Sequence, residues 1–157
     1  MIEIANIFIW GGKAYLPVLG KTEVGFFWDA GPFLTAELTV ESLTSALEEI
    51  VKNGNPPMRH PTQAEFRKLT PVQKALGMRS WKKMAQVGVI CCVIYWAQDK
   101  IGVAFSPQDA QDIQEIDYAH QKEFPLNTSL RDIAEFVLQE VSARQSLQTQ
   151  AGGKLQP

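Results

Sequence analysis

The sequence predicts an α+β fold: a mainly antiparallel β-sheet with packed helices. Three observations carry this. Apolar runs of strand length, rich in β-branched and aromatic residues, occupy much of residues 2–38 and 88–105. Two segments, around 43–51 and 130–141, switch to the 3.6-residue spacing of an amphipathic helix. The links Gly11-Gly12 and Gln98-Asp99-Lys100 are short enough for hairpins and too short for parallel crossovers. With 157 residues, 45% of them hydrophobic and 20% charged, the chain has material for one sizeable core.

Residues 2–10 alternate loosely and turn at Gly11-Gly12 into a second apolar run, 13–21. Pro17 has no N–H for a ladder, so this strand lies at an edge or carries a bulge. A third strand region, 24–30 and 33–38, is interrupted by Gly31-Pro32. At Thr39 the period changes. Leu43, Ala46, Leu47, Ile50 and Val51 share a helix face, Thr39 is the N-cap, and Lys52-Asn53-Gly54 supplies a basic last turn and a left-handed stop. Asn55-Pro56-Pro57 then forbids continuation.

A short helical turn fits 61–69. Thr70-Pro71 reads as an N-cap with proline at the first helical position of a helix ending at Gly77, and Ser80 caps a further turn over 81–86. Residues 88–96 are almost wholly apolar, the mark of a central strand covered on both faces, and 101–105 return antiparallel to it. Residues 113–120 alternate as one more half-buried strand ending near Phe124. Asn127 or Thr128 caps the last helix, whose stripe is Leu130, Ile133, Ala134, Val137, Leu138 and Val141. The polar stretch 146–157 is expected to be a flexible tail behind a single domain of residues 1–145. In each half strands precede a helix, and the two apolar stripes match in spacing, so a strand-strand-strand-helix unit is used twice.

No apolar run approaches the roughly 20 residues that span a bilayer, and the first ten residues carry Glu3 with no base before their apolar stretch, unlike a secretory signal. A soluble, cytoplasmic protein is expected. Adjacent Cys91 and Cys92 point to opposite faces of a strand, so they are read as buried hydrophobes in a reducing compartment rather than as a disulfide. The net charge of −2 hides a pattern. Residues 52–83 hold eight basic residues against Glu65 alone. Residues 29–51 hold five acids and no base, and 108–124 hold Asp109, Asp112, Glu115, Asp117 and Glu123 against Lys122.

A catalytic centre finds little material. The only histidines, His60 and His120, fall in no metal-ligand spacing, no glycine-rich phosphate loop is present, and a cysteine inside a hydrophobic strand is a poor nucleophile. No catalytic residue, metal or cofactor is expected. Glu115 and Asp117, two apart on the predicted strand, share a face without a recognisable partner group. The basic segment, with Phe66 and Trp81 among its lysines and arginines, is the best nucleic-acid candidate, although Trp81 at a helix start is weighted toward the core.

Several segments carry a family resemblance. The run Leu76-Gly77-Met78-Arg79-Ser80-Trp81-Lys82-Lys83-Met84, Leu16-Pro17, Gly20-Lys21-Thr22-Glu23 and Gly25-Phe26 within 15–27, Asn53-Gly54-Asn55-Pro56-Pro57, and Phe124-Pro125-Leu126 ahead of 129–140 together resemble the immunity proteins of bacterial contact-dependent growth inhibition systems. The similarity spans most of residues 7–143. It implies a cytoplasmic protein without catalysis that binds and neutralises the C-terminal toxin domain, commonly a nuclease, of a CdiA-type effector. It also implies that Asn55, Pro56, Pro57, Ser80 and Trp81 hold the fold rather than touch the toxin.

Toxin contacts then follow from electrostatics. A nuclease cleft is basic, so an inhibitor filling it gains from carboxylates that imitate phosphate. Asp109, Asp112, Glu115 and Asp117 are the first candidates, followed by Glu48 and Glu49 with Glu37 and Glu41; Tyr118 or Trp96 is the aromatic anchor. The competing reading is a nucleic-acid-binding module using residues 52–83. Membrane and nucleic acid are not the partners the sequence favours.

Overall fold

The structure, a computed structural model, describes residues 1–151. Gly11 and Gly12 both stand at positive φ, 60° and 76°, as a two-residue primed turn requires, and close a hairpin between β1 (Ile4–Trp10) and β2 (Lys13–Thr22). β3 (Phe27–Glu37) is continuous through Gly31-Pro32 rather than broken there. Its register against β2 shifts between Pro17 and Leu19, so the extra residues on β3 are absorbed in a bulge. Pro17 therefore lies in an interior strand rather than at an edge, and the bulge beside it is carried by the partner strand β3.

α1 (Val40–Asn53) starts at Thr39, whose hydroxyl accepts the Ser42 N–H, and ends at Gly54 with φ 65°. β4 (Pro57–Met58) runs parallel to the end of β2. Three short helices follow, α2 (Gln63–Phe66), α3 (Pro71–Leu76) and α4 (Trp81–Val87), each opened by a side-chain cap: Thr62, Thr70 and Ser80. β5 (Ile90–Trp96) and β6 (Ile101–Phe105) form the second hairpin, and β7 (Lys122–Phe124) adds three residues at the edge. α5 (Leu130–Ala151) closes the described chain.

The seven strands form one sheet in the order β3-β2-β1-β5-β6-β7, with β4 beside β2. Outward from the antiparallel β1/β5 seam both halves read first, second, third strand, and the helix that ends each half, α1 or α5, packs on the same face beside the other. The repeat predicted from helix spacing is thus a repeat of topology. Ile7, Ile9, Leu16, Cys92, Ile94 and Val103 face Leu43, Leu47, Ile133 and Val137 in this first core. Phe8, Cys91 and Val93 face the opposite way into a second core with Val72, Met84 and Ile113. β5 is therefore apolar on both faces for the reason its composition indicated.

Three expectations are corrected. Residues 113–120 do not form a strand: Ile113 is buried and Ile116 packs with it in a crossing segment, a 3₁₀ turn covers Tyr118–His120, and only Lys122–Phe124 pairs. The cap of α5 is Ser129, whose hydroxyl accepts the Asp132 N–H, rather than Asn127 or Thr128. The tail assigned to 146–157 is helical as far as Ala151, and 152–157 lie outside the described residues. Tertiary contacts hold that extension. Arg144 donates to the Ser106 carbonyl at 2.9 Å and lies 4.6 Å from the Phe105 ring centre, and buried Gln148 donates to the Gly88 carbonyl at 3.1 Å.

Candidate functional site

Away from α1 and α5, the other face of the sheet is covered unevenly. α3 and α4 sit over one part, and the segment 106–117 crosses another, anchored by Ile113 and by the Asp117 N–H on the Phe105 carbonyl at 2.9 Å. α3 owes its place to reciprocal bonds between Thr70 and Gln73, and α4 to the Ser80 cap, which sets Trp81 in the first turn. Trp81 stacks on Phe8 of β1 with centroids 6.1 Å apart, half-buried rather than fully enclosed.

Between these parts a pocket of about 220 Å³ remains. Ile4, Asn6 and Phe8 of β1 with Cys91 and Val93 of β5 form its floor, Phe27, Trp28 and Asp29 of β3 and Trp81 form walls, and Ile116 and Tyr118 bound it from the crossing segment. Asp29 is its distinctive member. The residue is 9% exposed, its two carboxylate oxygens are almost wholly enclosed, and neither completes a hydrogen bond. Burial pushes its pKa up to about 6; the nearby Thr70 hydroxyl and Val72 N–H oppose this without overcoming it.

A second groove of about 330 Å³ shares Trp28 and Trp81 with the pocket and opens onto Arg67, Lys68, Arg79 and Lys82, with Asp112 the one acid. Beside it Phe26, Trp28, His60 and Phe66 form a cluster with ring centroids 4.8 to 5.8 Å apart, and Phe26 and Phe66 remain exposed. Among the other basic residues of 52–83, Arg59 is engaged by Glu65 at 2.9 Å.

The structure divides the predicted acidic residues. Asp109, Asp112, Glu115 and Asp117 all lie in the crossing segment, not along a strand, and three of them serve its turns. Asp112 accepts the Gln114 N–H, Glu115 accepts the Gln111 N–H, and Asp117 holds the His120 ring at 2.8 Å. Tyr118 follows them, half-exposed, edge-on to Tyr95. Glu48 and Glu49 are exposed on α1, across the sheet from this segment, so the two sets form no common surface. Glu41 stands 3.5 Å from Arg131, and Trp96 packs toward the α1/α5 core, away from the crossing segment.

Asn55, Pro56 and Pro57 stand at the β1/β2/β4 junction: Asn55 bonds to β1 and β2, and the Pro56 carbonyl accepts the Lys21 N–H. The sequence reading missed Asp29, Trp28 and Thr70. An available signal was an acid directly following the aromatic run Phe26-Phe27-Trp28, where a strand turned inward would bury it.

Chemically, the floor of the pocket is unreactive. Burial raises the Cys91 thiol to about 12, and burial in the other core likewise pushes Cys92 well above the usual thiol range. Both stay protonated at neutral pH. Among the described residues no group of three or more His, Cys, Asp or Glu side chains is placed to hold a metal ion. No described helix is long and apolar enough to cross a membrane.

The fold therefore defines an α+β class with a doubled strand-strand-strand-helix sheet and a candidate site on the face away from α1 and α5. No family model and no curated protein sequence matches the chain. Solved structures do share the fold. A protein of unknown function from Neisseria meningitidis superposes with a TM-score of 0.58 at 10% identity, covering 85% of this chain and 89% of that one. A chain of the CdiA-CT/CdiI toxin and immunity complex from Yersinia pseudotuberculosis superposes with a TM-score of 0.55 at 10% identity, over 90% of this chain and 96% of that one.

Proposed function

We propose that this chain is an immunity-type protein that binds the C-terminal toxin domain of a CdiA-type effector in the cytoplasm and neutralises it. The observation that carries the reading is the fold shared, end to end, with a chain of the Yersinia toxin and immunity complex. The short sequence segments that resemble immunity proteins support it independently. The toxin docks on the face bearing the crossing segment, where Asp109, Asp112, Glu115 and Asp117 precede Tyr118, a lining residue of the aromatic pocket, and offer carboxylates to a basic cleft. Glu48 and Glu49, on the helical face, form the second candidate surface. The chain acts by occupying a surface, with no chemistry of its own.

Co-expression with the toxin domain encoded immediately upstream tests this. Rescue of growth and co-elution of the pair are expected, with charge reversal at Asp109 and Asp117 weakening the complex more than charge reversal at Glu48 and Glu49. Neither rescue nor a complex would sink the proposal.

A second reading, a nucleic-acid-binding module, is favoured by one observation: Arg67, Lys68, Arg79 and Lys82 converge on a groove walled by Trp28, Phe66 and Trp81. It requires affinity for single-stranded DNA or RNA that falls steeply with salt and is lost in Arg79→Ala/Lys82→Ala. A flat salt response rejects it.

A further inference from the structure

We propose that the groove beside α2, α3 and α4 binds a single nucleoside phosphate, the phosphate held by Arg67, Lys68, Arg79 and Lys82 and the base laid against the groove's aromatic wall. Charge is the first reason. All four cations are exposed, and none makes an ion pair among the described residues. The one acid in the lining is Asp112, whose Oδ1 already accepts the Gln114 N–H. Four positive charges against one negative select an anion, and two of the four are arginines, whose planar forks pair with phosphate oxygens two at a time. Exposed Ser80 lines the groove as well; its hydroxyl accepts the Lys83 N–H and keeps its own proton to donate.

The rings are the second reason. Trp28, Phe66 and Trp81 line the same groove, and Phe66 is 37% exposed. A bare inorganic anion would use the cations and leave the rings idle, whereas a planar base joined to a phosphate uses both. Size is the third. The volume of about 330 Å³ lies at the low end of the roughly 300–1,000 Å³ usual for small-molecule sites, room for one such unit. The surroundings set the same limit. Toward α2, Arg59 is already taken by Glu65 at 2.9 Å, and the crossing segment 106–117 holds four acids and no base. A strand running out of the groove on either of these sides meets compensated or negative surface instead of further free cations. The inference rests on the groove that the nucleic-acid reading uses and replaces a strand with one nucleotide, so the two fail separately; the immunity reading does not bear on it.

Isothermal titration calorimetry of the full chain with AMP and with UMP, at constant ionic strength, is expected to show saturable one-to-one binding. Adenosine, which lacks the phosphate, and ribose 5-phosphate, which lacks the base, should each bind at least roughly tenfold more weakly than AMP. Arg79→Ala/Lys82→Ala, checked for wild-type circular dichroism, should weaken AMP binding by roughly tenfold or more. A short oligoadenylate should bind about as tightly as AMP. No saturation with either nucleotide, AMP no tighter than adenosine or than ribose 5-phosphate, or unchanged AMP affinity in the double variant overturns the proposal. Should the double variant fail to fold, the comparison of AMP with adenosine and ribose 5-phosphate on the wild-type chain decides alone. Affinity that climbs steeply with strand length also overturns it and supports the nucleic-acid reading. Saturation by AMP with no gain from the oligoadenylate upholds the proposal and rejects that reading, and silence from mononucleotides and strand alike rejects both.

Discussion

The Asn55 side-chain amide pairs with both backbone groups of Ile4, accepting its N–H at 3.1 Å and donating to its carbonyl at 3.0 Å. The amide thereby replaces a strand residue. β1 and β2 pair directly only at the hairpin end, between Phe8 and Trp10 and between Lys13 and Tyr15, and the far ends are joined through Asn55, which also donates to the Leu19 carbonyl at 3.1 Å and accepts the Glu3 N–H. Asn55→Ala removes all four bonds, and part-buried strand groups lose their partners. A loss of about 2–4 kcal/mol is expected from urea denaturation. Asn55→Asp should cost a similar amount, because a carboxylate cannot donate to the two carbonyls. A change below about 0.5 kcal/mol in both variants would show that the junction contributes nothing.

Asp29 gives the pH dependence of stability a definite sign. Its carboxyl titrates near 3.8 when unfolded and at about 6 when folded. The folded state therefore holds the proton more tightly. Its neutral form costs nothing extra below pH 3.8, and the penalty for ionising it builds up as pH rises from there to about 6. The full penalty is on the order of 3 kcal/mol. Asn at this position has nothing to ionise. Asp29→Asn should match the wild type near pH 4 and exceed it in stability at pH 8, read from paired denaturation curves at the two pH values. Equal curves at pH 8 would contradict a buried, unpaired carboxylate.

The last turns of α5 are a structural part of the domain. Gln148→Ala leaves the Gly88 carbonyl without this side-chain donor at the α4–β5 junction, and a loss of about 1–2 kcal/mol is expected. Deleting residues 146–157 should cost at least as much in thermal or urea unfolding. If deletion is neutral, the contacts of α5 beyond Gln145 do not stabilise the domain.

Both cysteines should resist a thiol-reactive dye in the native protein and react once urea unfolds it. Burial and a thiol held near 12 at Cys91 combine to this effect, and burial raises Cys92 well above the usual thiol range as well. Rapid native labelling of Cys91 would reopen nucleophilic chemistry on the pocket floor.

Gly102 of β6 lies opposite Tyr95 of β5, and a Cβ at Gly102 would collide with the Tyr95 ring. The Tyr95 hydroxyl donates to Gln121 Oε1 at 2.6 Å, tying β5 to the residue before β7. Gly102→Ala should displace the ring, break that bond and cost about 1–3 kcal/mol by chemical denaturation. Near-UV circular dichroism should change with it.

What the sequence by itself determined is whatever local spacing encodes. Thr39 and Gly54 bound α1 because capping involves residues within one turn; Thr70-Pro71, Gly77 and Ser80 mark α3 and α4 for the same reason; β5 is central because its own residues are apolar on both faces. The repeated unit was legible as matching stripes, since periodicity is a property of the segment that carries it. Tertiary structure decided everything that depends on which residues meet. It set the two halves against each other along β1/β5 and buried Asp29 under Thr70 and Trp28. The alternation of 113–120 failed as a strand because the crossing segment turns Ile113 and Ile116 into the second core, where apolar burial outweighs a two-residue period. α5 outran its amphipathic stripe because Arg144 and Gln148 found distant carbonyls, and no pattern along a helix can show where such carbonyls lie.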